Sequence, residues 1–234
     1  MILIVGGKGF VGREIVNSLR ERNIEYEIFY GDITSSDAYE NYNNNYAHVI
    51  HSASIITHRG LDNDNLLERV NIYGTSMLLS FFSNARFIYI STKDVNRDVL
   101  SAYAKTKVLA EKMVMKNSSK NLIFRLPSVF GGNSKQKKLI PLLIDKYINE
   151  TPCEILNNDR REYIYVKKCA SEIVDHMYKN GVINIDGIFI SNLDLDMLIK
   201  DIVNEDYRHS KHKVYKAIYN QLQDTIHESL FKRI

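Results

Sequence analysis

Tyr103 and Lys107 stand four residues apart in the run Tyr103-Ala104-Lys105-Thr106-Lys107. On a helix that spacing stacks a phenol and an ammonium on one face. A phenol of ordinary pKa is a poor acid–base catalyst at neutral pH. An ammonium about 4 Å away, at an effective dielectric near 20, contributes about 4 kcal/mol, or roughly three pKa units. The expected result is a phenol near neutrality, able to give and take protons. The same pair occurs on ordinary surface helices, so its weight comes from its place. It opens the helix after a strand, Phe87–Ile90, that itself ends in Ser91-Thr92. Thr92, Tyr103 and Lys107 are the expected catalytic set, converging on one carbonyl.

A second constellation precedes it. The apolar run Ile2–Val5 is followed by Gly6-Gly7-Lys8-Gly9-Phe10-Val11-Gly12 and then by Ile15, Val16 and Leu19 at helical spacing. Strand, glycine turn and helix start in one run are the context in which such glycines cradle a pyrophosphate. Gly6 lets the chain turn off the strand, Gly9 lets backbone approach the phosphates, and Gly12 lets the helix pack on the sheet. The unpaired amides of the helix start then face the anion. The glycines parse as Gly6-x-x-Gly9-x-x-Gly12 or as Gly7-x-Gly9-x-x-Gly12; a strand ending at Val5 favours the first.

The elements that must position these residues alternate through the first half. Strands are expected at Ile2–Val5, Tyr26–Tyr30, His48–His51, Phe87–Ile90 and Leu122–Leu126. Helices are expected at Arg13–Arg22, near Ser36–Tyr42, at Leu66–Ser83 and at Ser101–Lys116. That order implies an α/β fold, a doubly wound Rossmann-type parallel sheet covered on both faces. Beyond residue 130 the pattern weakens into helix Leu139–Asn149, a strand near Tyr163–Val166, helix Ala170–Lys179, strand Ile183–Ile185 and helices to the end. Residues 1–130 are read as the dinucleotide-binding domain and 131–234 as a small substrate-binding portion that returns some segments to the main domain. In open parallel sheets ligands sit at the carboxyl ends of the strands. The residues to watch are therefore Gly6, Asp32, Ser52-Ala53-Ser54, Ser91-Thr92 and Pro127-Ser128.

Composition excludes several classes. The 234 residues carry a net charge of +3 spread along the chain, which gives no nucleic-acid stripe, and Lys135-Gln136-Lys137-Lys138 reads as a solvated loop. Cys153 and Cys169 have neither metal nor redox spacing, so no metal site is expected and a reducing cytoplasm fits. The apolar start is too short for a signal-peptide core, and no run approaches the roughly 18 residues of a spanning helix. A soluble protein without a membrane partner is expected.

These residues together resemble the extended short-chain dehydrogenase/reductase family of nucleotide-sugar epimerases, dehydratases and reductases, nearly end to end. Gly6 to Gly12 is similar to its Gly-x-x-Gly-x-x-Gly turn. Asp32-Ile33 is similar to the Asp-hydrophobe pair that holds adenine. His51-Ser52-Ala53-Ser54 resembles a cofactor-lining segment and Asn71-Ile72-Tyr73-Gly74-Thr75 an Asn-x-x-Gly-Thr helix. Ser91-Thr92 with Val95, then Tyr103 and Lys107, resemble the catalytic segments, as do Arg125–Gly131 and Arg161–Val166 two further ones. The resemblance implies Tyr103 as general acid or base. Lys107 would tune it and hold the nicotinamide ribose, Thr92 would donate to the substrate carbonyl, and Arg161 would bind the sugar-nucleotide diphosphate. It implies NAD or NADP as cofactor, a nucleotide-linked sugar as substrate, and a homodimer formed through the helices Leu66–Ser83 and Ser101–Lys116. Cofactor choice stays open. Asp32 lies 20 positions after Gly12, where an acid would bond a free ribose 2′-hydroxyl, whereas Lys8 would welcome a 2′-phosphate.

Three departures narrow the reading. Only eleven positions separate Thr92 from Tyr103, so a pocket-shaping loop is shortened. Between Tyr26 and Val49 there is room for one strand where the family builds two. Lys93 follows Thr92 where the dehydratases carry an acidic pair, leaving no carboxylate beside Thr92 for dehydration. The expected activity is an NAD(P)-dependent 4-keto sugar reductase, with a 4-epimerase as the alternative. A catalytically silent cofactor-binding scaffold is the reading from another class.

Overall fold

The computed structural model describes residues 1–56, 64–131, 138–204 and 220–226. Lys135 to Lys137, and the C-terminal helices expected over 205–219 and 227–234, lie outside the described residues. The chain divides into two compact units. One comprises Met1–Pro127 with Cys169–Ile185, the other the described residues of Ser128–Lys168 and Asp186–Ile234.

The first unit is built on six parallel strands: β1 (Ile2–Val5), β2 (Tyr26–Phe29), β3 (His48–His51), β4 (Arg86–Thr92), β5 (Leu122–Leu126) and β8 (Gly181–Asn184). Their order is β2-β1-β3-β4-β5-β8. The central strands are apolar without alternation because both their faces are covered; Leu3, Ile4, Val5, Val49 and Ile50 are fully buried. Leu3, Val49, Phe87, Tyr89 and Ile123 form a core cluster with Leu78, Phe82, Ala110 and Val114 from helices α3 (Gly74–Phe81) and α4 (Ala102–Asn117) and the segments beside them. Helix α1 (Phe10–Glu21) links β1 to β2. The chain then crosses back over β1 to place β3 on its other side, which makes the carboxyl ends of β1 and β3 the point where the winding reverses.

One strand is missing relative to the family pattern, as the spacing predicts. Between Phe29 and His48 there is only a short 3₁₀ turn, Ser36–Tyr39. Tyr39 and Tyr46 from this stretch pack on Phe82, and Tyr39 and Tyr42 pack on Phe29 of the edge strand β2. The expected helix Leu66–Ser83 forms as α2 (Asp64–Glu68), one wide π turn (Arg69–Tyr73) and α3.

The second unit holds β6 (Ser128–Phe130), β7 (Arg160–Tyr165) and β9 (Ile188–Ser191), with β6 parallel and β9 antiparallel to β7. Helices α5 (Leu139–Ile148) and α7 (Asn192–Val203) are joined by Lys146 Nζ and Tyr147 Oη on Asp196, at 3.1 and 2.8 Å. Strands β6 and β9 correct the expected order, which had helices alone after Ile185. Each has only three or four residues, too few to show a period. Helix α6 (Val166–His176) starts four residues earlier than expected, at the end of β7.

Candidate active site

The turn after β1 is shaped by contacts that leave no room for side chains. Gly6 has φ +85°, and a Cβ there would lie 2.5 Å from the Ala53 amide nitrogen. A Cβ on Gly12 would lie 2.1 Å from the Gly6 carbonyl and 2.7 Å from Ser52 Oγ. The Val5 carbonyl accepts the amides of Ser52 and Ala53 at 2.9 and 3.1 Å, so the loops after β1 and β3 are one assembly. Gly6, Gly12, Ser52 and Ala53 thus meet. Helix α1 begins directly at Phe10 and Val11, three residues before the expected start, because Gly9 already serves as its N-cap. That cap has no side-chain hydrogen bond, and no acidic residue lies in the first turn. An exposed helix start with neither a capping side chain nor an acid fits a diphosphate, the group a dinucleotide cofactor presents.

Asp32 is exposed at the end of the strand beside β1, where its Oδ1 accepts the Thr34 amide (2.9 Å) and hydroxyl (2.8 Å). These bonds hold its carboxyl below the usual range. The Ile33 side chain is buried in the core, against Gly74, where a Cβ would lie 2.6 Å from Ile33 Cδ1. What Ile33 offers a ligand is its backbone.

Helix α4 begins at Ala102, with Ser101 Oγ accepting the Ala104 amide at 3.1 Å. Tyr103, Lys107, Glu111 and Val114 follow one face. The expected action of Lys107 on Tyr103 is corrected by the structure. Lys107 is 1% exposed, donates to the Ile90 carbonyl at 2.7 Å, and stands 4.0 Å over the Tyr89 ring. Burial pushes it down to about 7 against the opposing pull of Glu111. The Tyr103 phenol is pushed up to about 12 by burial, with a hydrogen bond to Ser54 pulling it down and Asp94 pushing it up. Spacing on a helix put the two residues on one face; desolvation and a strand carbonyl decided where the ammonium went.

The two hydroxyls that end β4 separate. Ser91 Oγ is bonded to Glu111 Oε1 at 2.5 Å, and Arg125 clasps the same carboxylate, its Nη2 2.6 Å from Oε2 and its Nε 3.1 Å from Oε1. Thr92 Oγ1 accepts the amide of Asp94, at 3.2 Å. Asp94, one position beyond Lys93, is a carboxylate that the reading of Thr92 and Lys93 left out of account. Lys93 does follow Thr92, but the next residue's carboxylate, paired with Arg97 at 2.5 Å, acts on the Tyr103 phenol. Glu111 is the residue sequence reasoning missed. Its signal was available: it continues the Tyr103–Lys107 stripe by another four positions. Arg161 lies exposed in β7, in the second unit.

Lys107 gives the first expected result. Its pKa is lower folded than unfolded, so between about 7 and 10 the unfolded chain binds more protons and stability rises with pH, by up to about 1.4 kcal/mol per unit. Denaturant unfolding at stepped pH should show this rise in wild type and its loss in Lys107→Met; equal slopes would show that the ammonium is not desolvated.

A family model, the NAD dependent epimerase/dehydratase family, matches residues 2–185. The chain belongs to that family. The match spans both halves of the first unit together with the strands and helices between them. The ceramide reductase of Caulobacter vibrioides (strain NA1000 / CB15N) is 28% identical over 151 residues, covering 56% of this chain and 47% of the reductase. The chain thus spans about half the length of that curated relative. The fold matches that of the UDP-glucose 4-epimerase of Thermotoga maritima, solved with UDP-glucose, at a TM-score of 0.84 and 18% identity over 99% of both chains. It also matches the UDP-glucose 4-epimerase of Thermus thermophilus, solved with NAD, at 0.77 and 18% identity, covering 87% of this chain and 83% of that one. Among the described residues no helix is long and apolar enough to cross a membrane, and no group of three or more His, Cys, Asp or Glu could hold a metal ion.

Proposed function

We propose that the chain is an NAD(P)-dependent oxidoreductase acting on a nucleotide-linked sugar, and that it reduces a 4-keto sugar. The observation that carries this reading is the state of Tyr103. Its phenol keeps its proton at neutral pH, on the helix face it shares with Lys107. A phenol that holds its proton can donate it as negative charge develops on a carbonyl oxygen, which is what reduction asks of it, although its raised pKa makes it a weaker acid than the near-neutral phenol that the spacing predicts. The Caulobacter relative's name also describes a reduction.

Gly6, Gly9, Gly12 and the start of α1 would hold the cofactor diphosphate, with Phe10 and Val11 supplying first-turn amides. Asp32 and the Ile33 backbone would hold the adenosine end, and Ser52 and Ala53 would line the pocket, with the buried Asn71 bracing the loop after them through Ile55. When bound, the cofactor supplies or accepts hydride. Thr92, whose oxygen is already oriented by the Asp94 amide, directs its hydrogen to the substrate carbonyl. Tyr103 gives its proton to the oxygen as charge develops there. Lys107, its ammonium on the Ile90 carbonyl, shares the helix face of Tyr103 and is assigned to the nicotinamide ribose. Arg161 is assigned to the substrate diphosphate, where a planar guanidinium binds two oxygens at once. Helix α2, the π turn after it and helix α4 expose Leu66, Tyr73 and Leu109, and we assign this surface to a homodimer.

With a 4-keto nucleotide sugar, one equivalent of reduced cofactor should be consumed per product. The second reading, a 4-epimerase, rests on the likeness to the Thermotoga fold; it would interconvert sugars with no net consumption. A silent scaffold would do neither, and mass spectrometry showing loss of water from a nucleotide hexose would replace both with a dehydratase.

Cofactor choice should be weak. Lys8 stands 4.5 Å from the Tyr30 ring at the end of β2 and favours a 2′-phosphate, while the Asp32 charge opposes it. We expect NAD(H) and NADP(H) to bind within about a hundredfold, or about 2.7 kcal/mol. Paired titrations with a larger gap would show that one of the two charges governs alone.

A further inference from the structure

We infer that Arg125 is a positioning residue for Thr92: anchored on the buried Glu111, its guanidinium holds the far end of the turn whose near end orients the Thr92 hydroxyl. The inference rests on the reading of Thr92 as the donor to the substrate carbonyl.

The anchor is a buried carboxylate bonded through both oxygens. Glu111 Oε1 accepts the Ser91 hydroxyl at 2.5 Å and Arg125 Nε at 3.1 Å, and Oε2 accepts Arg125 Nη2 at 2.6 Å. Ser91 and Arg125 are register partners on β4 and β5, so a helix and two strands close on one group. Two N–H groups along one edge of the guanidinium, set on two oxygens, fix its plane; the single ammonium of a lysine does not.

The remaining nitrogen of that fixed plane reaches the turn after β4. Arg125 Nη1 donates to Asn96 Oδ1 at 3.0 Å. Asn96 ends the 3₁₀ turn Lys93–Asn96, in which no residue is buried, so core packing does not hold it. The turn begins at Thr92, its N-cap, whose Oγ1 accepts the Asp94 amide at 3.2 Å. The Thr92 backbone is set by pairing with Leu126 in the sheet. Its hydroxyl is set by the turn, because the Asp94 amide occupies one lone pair of Oγ1 and so decides which directions remain for the proton.

The side-chain entropy of Arg125 is already lost at its Glu111 end, so the bond to the exposed Asn96 immobilises little more. Helix α4 grips β4 just before Thr92. Lys107 donates to the Ile90 carbonyl at 2.7 Å, and Glu111, one helical turn later, takes the hydroxyl of Ser91. The helix that carries Tyr103 and the turn that orients Thr92 are therefore tied into one assembly through Glu111 and Arg125.

The test follows backbone nitrogen relaxation of the full chain, without substrate or cofactor. The amides of Asp94 and Val95 should have order parameters near about 0.85 in wild type and below about 0.6 in Asn96→Ala, while Ala104 and Lys107 of α4 keep their wild-type values. Arg125→Lys keeps a positive charge for Glu111 without the fork, and should loosen the turn in the same way. Asn96→Asp keeps an acceptor oxygen and should leave the turn ordered. Because Asn96 is exposed, its alanine variant should unfold within about 2 °C of wild type. With a 4-keto nucleotide sugar, Asn96→Ala should lower kcat by about tenfold at a KM within about twofold, and Asn96→Asp should restore kcat. Unchanged order parameters in Asn96→Ala and Arg125→Lys, or a loosened turn with wild-type kcat, overturns the inference. Failure of wild type to turn over any sugar nucleotide would overturn the proposed function alone, since relaxation still decides whether Arg125 holds the turn.

Discussion

Tyr103→Phe is expected to lower kcat by about a hundredfold or more while leaving cofactor affinity within about twofold. The substitution removes one oxygen and the transferable proton; the ring stays. Positioned acid–base groups contribute about 10²–10⁴-fold, and Tyr103 is the proton donor of the proposed reduction. Steady-state kinetics on the reduced substrate, beside an equilibrium titration of cofactor fluorescence, separates the two effects. Retention of more than about a tenth of kcat would mean that less than about 1.4 kcal/mol of barrier depends on the phenol, and the proposed role would fail.

Gly12→Ala is expected to abolish cofactor binding and to destabilise the fold. The new Cβ would stand 2.1 Å from the Gly6 carbonyl and 2.7 Å from Ser52 Oγ. Neither neighbour can yield independently. Gly6 is itself pressed against Ala53, and Ser52 is bonded to the Val5 carbonyl through both its amide and its hydroxyl. Overpacking of this kind costs about 1–3 kcal/mol. It also pushes α1 away from the sheet, so the helix start no longer faces the diphosphate position. Gly9→Ala is the contrasting variant: its Cβ would meet only the Gly6 carbonyl, at 3.1 Å. It should keep its thermal midpoint near that of wild type and lose affinity alone. Thermal unfolding and cofactor titration of the two proteins test the division. Equal loss of stability in both would show that Gly9 too is a packing glycine, with no ligand-facing part.

Much of the fold was legible because its signals are local. An unbroken apolar run before glycines, alternating helix and strand periods, and the punctuation after each strand follow from a few neighbouring residues. His48–His51 and Leu122–Leu126 came out with the same bounds in sequence and structure. The single strand between Tyr26 and Val49 followed from chain length alone, since too few residues remain to build two. The short strands Ser128–Phe130 and Ile188–Ser191 were not legible, because three or four residues carry no period and pairing with Arg160–Tyr165 is what makes them strands.

By itself the sequence determined which residues are available for chemistry and which turn holds the glycines, since both depend on residue type and on spacing along one helix or loop. Only the tertiary structure decided the electrostatics. Lys107 turns to the Ile90 carbonyl and the Tyr89 face, and Ser91 is taken by Glu111 and Arg125. Asp94 bears on Tyr103 from the turn after β4, and Asn71 ties the loop after β3 to Thr106 in the first turns of α4. A pKa depends on burial and on charges brought close from distant segments, and no spacing within one helix encodes either.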